Sequence, residues 1–224
     1  MKTQQSGFTL IEIAIVLVII GLLLGGVLKG QELITSARVR NMISQQDGIK
    51  AAYFGFLDRY RALPGDYLAA NPNIKGVAAG VNGDGNGQIA GDEAIMAWDH
   101  LSRAGFINGS YIYAAGAVND ATTPKNPYAG FLQLIYDKNY GDGTGSSRHN
   151  LKTGNQVPVN ILAEVDRKID DGLPYSGAFQ FSTYAGPAGT APTAADCVVD
   201  AAAATPAQWN IAGESNNCGG ASIF

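Results

Sequence analysis

The sequence predicts an α+β protein. One long N-terminal α-helix, apolar in its first half and amphipathic in its second, packs on a small antiparallel β-sheet with long loops. Three observations carry that prediction. An apolar stretch of about twenty residues, the length that spans a bilayer, begins at Phe8 and is broken only by Glu12. A stripe of apolar residues at helical spacing continues as far as Leu63. Beyond Pro64 the chain turns into short helical and alternating segments separated by Gly-, Ala- and Asn-rich stretches. The chain has 224 residues and a formal net charge of -4, room for one sizeable domain plus an extension. The negative balance argues against a generic nucleic-acid binder.

The first element reads "MKTQQSGFTLIEIAIVLVIIGLLLGGVLKG". Lys2 precedes the apolar run, which keeps that end cytoplasmic by the positive-inside rule and puts the rest of the chain outside. A charge in such a segment costs at least about 2.5 kcal/mol, so Glu12 needs a reason. Three readings compete. A secretory signal would be cut after the apolar run, but "GGVLKG" offers no A-x-A-like site. A plain anchor explains the length and leaves Glu12 unexplained. A leader cut after Gly7 would keep the apolar helix in the mature protein.

"SGFTLIEIAIVLVIIGLL" closely resembles the processing site of type IV pilins and type II secretion pseudopilins. The resemblance covers about the first thirty residues. It implies cleavage after Gly7 by prepilin peptidase, N-methylation of the new N-terminal Phe8, and an assembly role for Glu12. In the family the amine of an incoming subunit is thought to pair with this Glu on a neighbour, and an opposite charge is what makes a buried carboxylate tolerable. Glu12 is then expected to lack a partner in the single chain and to gain one in a filament. The implied organisation is a leader at 1–7, a transmembrane and assembly helix at 8–34, and a periplasmic or extracellular pilin-like domain at 35–224. Within that domain, 35–63 is the amphipathic half of the first helix.

In that half, Met42, Ile49, Phe56 and Leu63 fall seven apart, and Val39, Tyr53 and Tyr60 fill the steps between. Gln46 interrupts the face. Arg38, Gln45, Asp47, Asp58 and Arg59 lie opposite, and Pro64-Gly65 supplies a stop. Gly25, Gly26 and Gly30 mark a place where the helix bends, melts or packs closely; family filaments melt near here, often at a proline that this chain lacks. "AIMAWDHLSRAGFI" (94–107) and "VNILAEVDRKIDDG" (159–172) read as helices. "YAGFLQLIYDKNY" (128–140) and "SGAFQFSTYAG" read as containing strands.

"NGDGNGQIAGDE" (82–93) aligns with a calcium loop: Asn82, Asp84, Asn86, Gln88 and Glu93 as oxygen ligands, and Gly87 at the sharp turn. The first ligand is Asn in place of Asp, and no helix precedes the loop. The competing reading is a glycine-rich turn before a capped helix. Major pseudopilins also hold a structural Ca²⁺. Cys197 and Cys218 are the two cysteines, and export favours a disulfide between them.

Other signals are weaker. "GDGTGSS" (141–147) lacks the Lys-Ser/Thr ending of a phosphate loop and reads as a loop. His100 and His149 are not spaced as a ligand pair, and Ser147 has no triad. "IDDGLP" (169–174) resembles a segment recurring in large prepilin-like proteins and reads as a turn. Asn108-Gly109-Ser110 matches a sequon.

The expected function is therefore a structural subunit of a type IV pilus-like or type II secretion filament, not an enzyme. Its expected partners are copies of itself or related pilins, prepilin peptidase, the inner-membrane assembly platform, and the bilayer before assembly. It would wait in the inner membrane with its C-terminal domain in the periplasm, and end in a periplasmic or extracellular filament. The alternative is a minor, tip-located pilin that binds a surface, DNA or secreted substrate.

Overall fold

The computed structural model describes residues 9–187, 189–200 and 206–224. The fold is α+β. Helix α1 runs Leu10–Tyr60 without a break. The chain divides within it into two compact units, Met1–Arg38 and Val39–Phe224. In the first unit the apolar side chains from Leu10 to Ile34 are exposed all round the helix. The helix continues through Gly25, Gly26 and Gly30, and no atom approaches the place of a β-carbon at any of them.

In the second unit, Val39, Met42, Gln46, Ile49, Tyr53 and Phe56 of α1 are buried, which is the predicted stripe with its polar interruption included. Tyr60 and Leu63 are partly buried. The helix ends before Pro64 because Arg61 adopts φ 55°, a left-handed residue that closes the helix C-terminus. A short turn of helix follows, α2 (Ala70–Asn73). Helix α3 (Glu93–Arg103) stops earlier than its apolar pattern predicts. Gly105, at φ 78°, donates to the Ser102 carbonyl and Phe106 donates to that of Leu101. These two bonds form a Schellman cap that a continuing helix could not make.

Strand β1 (Gln133–Asp137) pairs antiparallel with β2 (Arg148–Lys152). Helix α4 (Val159–Ile169) and strand β3 (Phe179–Phe181) follow. A small two-stranded sheet joins β4 (Val198–Val199), which follows the short helix α5 (Ala194–Cys197), to β5 (Gln208–Trp209). The C-terminal strand β6 (Gly220–Ile223) then inserts between β2 and β3, giving the sheet order β1-β2-β6-β3.

Two cores meet α1. Ile49, Tyr53 and Phe56 pack with Trp98 and Leu101 of α3 and with Leu134 and Leu151 of the sheet. Val39 and Met42 pack with Leu162 and Val165 of α4, Phe179 and Phe181 of β3, and Trp209. The disulfide Cys197–Cys218 lies in this second core. It ties α5 to the chain entering β6.

Candidate functional site

The N-terminal site begins where α1 begins. Thr9 precedes the first helical residue and Glu12 lies three residues on, the spacing of a capping box. The Glu12 carboxylate accepts from the Thr9 N–H at 2.8 Å and from its hydroxyl at 2.7 Å. In return Thr9 Oγ1 accepts from the Glu12 N–H at 3.3 Å. The expectation that Glu12 has no partner in the single chain is corrected here: it is held by its own helix start. The signal was present in the sequence, because T-x-x-E before an apolar run is itself a helix-start pattern. Such a cap stabilises a helix by about 1 kcal/mol. That offsets only part of the cost of a carboxylate at membrane depth.

From Glu12 the helix is apolar on every side, with Leu10, Leu22 and Leu28 each more than three-fifths exposed. A helix that is hydrophobic all round needs an apolar surrounding. The segment is long and apolar enough to cross a membrane. Residues 2–28 match the family model of the prokaryotic N-terminal methylation motif. The chain carries the N-terminal motif of type IV pilins and pseudopilins. Comparison with curated proteins and with solved structures found no match. Gly7 and Phe8, the residues that flank the expected cut, lie outside the described residues.

The second site lies in the globular unit. Asp66, Asp84 and Glu93 converge so that one carboxylate oxygen from each lies within 4.8 Å of the others. Asp84 and Glu93 come from the predicted loop; Asp66 does not. Asp66 is buried, and its two oxygens accept from the Asn86 N–H (3.0 Å) and the Gly87 N–H (2.8 Å). Glu93 accepts from the N–H groups of Asp84 (3.0 Å) and Ala90 (3.1 Å). Burial pushes the carboxyls of Asp66 and Glu93 above the ordinary carboxylate range. For Glu93 the neighbouring charges of Asp66 and Asp84 push the same way.

Three carboxylates sharing a small volume suit a hard cation or a proton. Two of the other predicted ligands make hydrogen bonds of their own. Asn82 Oδ1 accepts from the Asn71 N–H at 2.8 Å, and Asn86 Oδ1 accepts from the Gln88 N–H at 2.7 Å. Close backbone packing brings Asp66 in. A β-carbon on Gly83 would lie 2.3 Å from the Asp66 Cα, and one on Gly65 would lie 2.2 Å from the Glu93 carbonyl oxygen. Pro64-Gly65 thus seats the loop rather than ending the helix. No local pattern around Asp66 announces this.

The other sequence signals resolve into structure. His100 is buried, accepts from the Gly65 N–H at Nδ1 (3.0 Å) and sits 3.1 Å by Nε2 from the Val81 carbonyl. His149 stands in β2 between Tyr53 and Tyr136. In "GDGTGSS" the Asp142 carboxylate accepts from the N–H and hydroxyl of Thr144, closing a turn. Asp166, Asp170 and Asp171 form a second acidic group, and each is engaged. Asp166 accepts from Trp209 Nε1 at 2.7 Å, Asp170 from the Phe179 N–H at 2.8 Å, and Asp171 from the Leu173 N–H at 2.9 Å.

Proposed function

We propose that this pilin-like chain is a structural subunit of a type IV pilus-like or type II secretion filament. Prepilin peptidase cuts after Gly7, Phe8 becomes the N-methylated N-terminus, and the α1 apolar segment leaves the bilayer for the filament core. The single observation behind this reading is a motif matched over residues 2–28 that opens an all-round apolar helix with one carboxylate, Glu12. Cleavage leaves the Thr9–Glu12 cap whole, since Thr9 follows the new terminus. The carboxylate therefore keeps its local bonds and has further acceptor capacity for an α-amine of a neighbouring copy. Peptide mass spectrometry of protein from assembly-competent cells should find a mature terminus at methylated Phe8. A mature chain beginning elsewhere would overturn the processing site, and Gly7→Asp should accumulate as uncut precursor in the membrane.

Calcium is the cation we propose for the globular unit, held by Asp66, Asp84 and Glu93. All-oxygen ligands on a glycine-rich turn are the chemistry that Ca²⁺ selects. Its contribution would be structural, neutralising the three carboxylates and fixing residues 82–93 against Asp66. A Ca²⁺ concentration one hundred times Kd stabilises by about 2.7 kcal/mol, or about 5–10 °C in Tm for a domain of this size. Asp66→Asn should abolish that increment over chelator, whereas Asn82→Ala should keep it. Identical melts with Ca²⁺ and with chelator in the unmutated protein would contradict the site.

A further inference from the structure

Asn108-Gly109-Ser110 is exposed and follows the Schellman cap of α3. Asn-Gly pairs occur in this chain at 82–83, 86–87 and 108–109. In such a pair no side chain hinders the backbone nitrogen that follows the asparagine, so it can approach the asparagine side-chain carbon. The fold restrains two of the three. Gly83 donates its N–H to the Tyr67 carbonyl at 3.1 Å, and Asn82 Oδ1 accepts from Asn71 at 2.8 Å. Gly87 donates its N–H to Asp66 Oδ2 at 2.8 Å. Asn86 accepts from Gln88 and donates to Asp84 Oδ2, the latter at 2.8 Å. At the third pair, among the described residues, neither the Gly109 N–H nor the Asn108 side-chain amide has a hydrogen-bond partner. Gly109 also holds φ 105°, in the left-handed half of backbone space that glycine enters without steric cost.

We propose that Asn108 is a site of spontaneous conversion to aspartate and isoaspartate, selected by the fold from three chemically equivalent Asn-Gly pairs. The Gly109 nitrogen attacks Asn108 Cγ. The N–Cγ bond forms, the Cγ–Nδ2 bond breaks, and the amide nitrogen leaves as ammonia with the Gly109 proton. Water then opens the cyclic imide at one of its two carbonyl carbons. Opening at Cγ gives aspartate; opening at the backbone carbon gives isoaspartate, with the chain rerouted through the side chain. The net reaction is amide plus water to acid plus ammonia, with no oxidant or enzyme.

The product carboxylate lines a groove of about 370 Å³ whose other walls, including Ser44, Gln45, Phe106 and Tyr111, carry no charge. The conversion thus places a negative charge in an uncharged surface groove of the globular unit.

The test incubates the purified full-length protein in detergent at mildly alkaline pH with Ca²⁺, in parallel with the same protein in urea. Peptide mass spectrometry reads amide-to-acid conversion at each pair, and isoaspartyl methyltransferase labelling reads the rerouted product. In the folded protein Asn108 should convert about tenfold faster than Asn82 or Asn86, the population cost of first breaking one ordinary hydrogen bond. In urea the three rates should converge, and Asn108→Gln should remove the fast component of the folded protein. Equal rates at all three pairs in the folded protein would overturn the proposal. So would the same ranking in urea as in buffer, because selection would then be by sequence and not by fold.

Discussion

Asp166 is a carboxylate removed from water, and Trp209 Nε1 and the Gly172 N–H point at its two oxygens. Burial pushes its carboxyl from 3.8 up to about 6, against the pull of those two donors. The folded chain therefore holds this proton more tightly than the unfolded chain. The stability it contributes is fully present below pH 3.8 and is lost as pH rises through about 6. Buried His100 has the opposite slope: burial lowers it from 6.5, so its contribution is lost as pH falls below that value. Comparing variants at matched pH separates the two. Urea midpoints of Asp166→Asn should show less of the decline between pH 4 and 6 than the unmutated protein shows. Parallel curves would mean that Asp166 is ionised throughout. Glu12 and Thr9 belong to the same scale. Glu12 stands out in the sequence as a charge out of place, while its partner Thr9 is one polar residue at the edge of a membrane-length apolar run and is legible only as a helix cap.

The sheet contains a charge pair at the scale of elements. Lys152 of β2 is almost fully buried and its ammonium meets the carboxylate of Asp137 on β1, four residues along that strand from its own register partner Gln133. Asn150 Nδ2 adds a bond to the same carboxylate at 2.9 Å. Removing one partner of a buried pair costs about 3–5 kcal/mol, while an apolar replacement of both is often neutral. Asp137→Ala should fall in that range by urea denaturation, and Asp137→Leu with Lys152→Met should recover most of it. A single variant within about 1 kcal/mol of the unmutated protein, the scale of an exposed pair, would contradict the burial of this contact. The same residues explain what escaped the sequence. The long helix, α3, α4 and β3 were legible from periodicity, and β1 from its aromatic and branched residues. Strand β2, "RHNLK", was not, because Leu151 is the one apolar residue among its buried positions, and Asn150 and Lys152 are buried with Asp137, on another strand, as a partner. Strand β6, "GASI", is short and small, and it is defined by the neighbours between which it inserts. Asp66 was hidden for a similar reason: it reaches the loop at 82–93 through the close approach of Gly65 and Gly83.

For the whole molecule, the two units divide the work. The globular unit buries its stripe, closes its C-terminal region with Cys197–Cys218 and presents loops. A cross-link over that spacing contributes about 3 kcal/mol in the chain-entropy model. Cys218→Ser should lower the domain's urea stability by about that amount without altering processing after Gly7. The N-terminal unit keeps its apolar residues from Leu10 to Ile34 exposed, which in water would be a large liability and in a bilayer or filament is a binding surface. In the proposed function, membrane storage and polymerisation would compete for one surface, and Glu12 would bias the choice, since only the polymer would offer it a neighbouring amine. The most direct test follows Glu12→Ala in assembly-competent cells and measures its content in sheared or purified filaments relative to the unmutated subunit. The variant should be cut after Gly7 and held in the membrane at normal levels, yet be depleted at least about tenfold from filaments, the factor that 1.4 kcal/mol of lost pairing supplies. Incorporation of Glu12→Ala at the unmutated level would contradict the account.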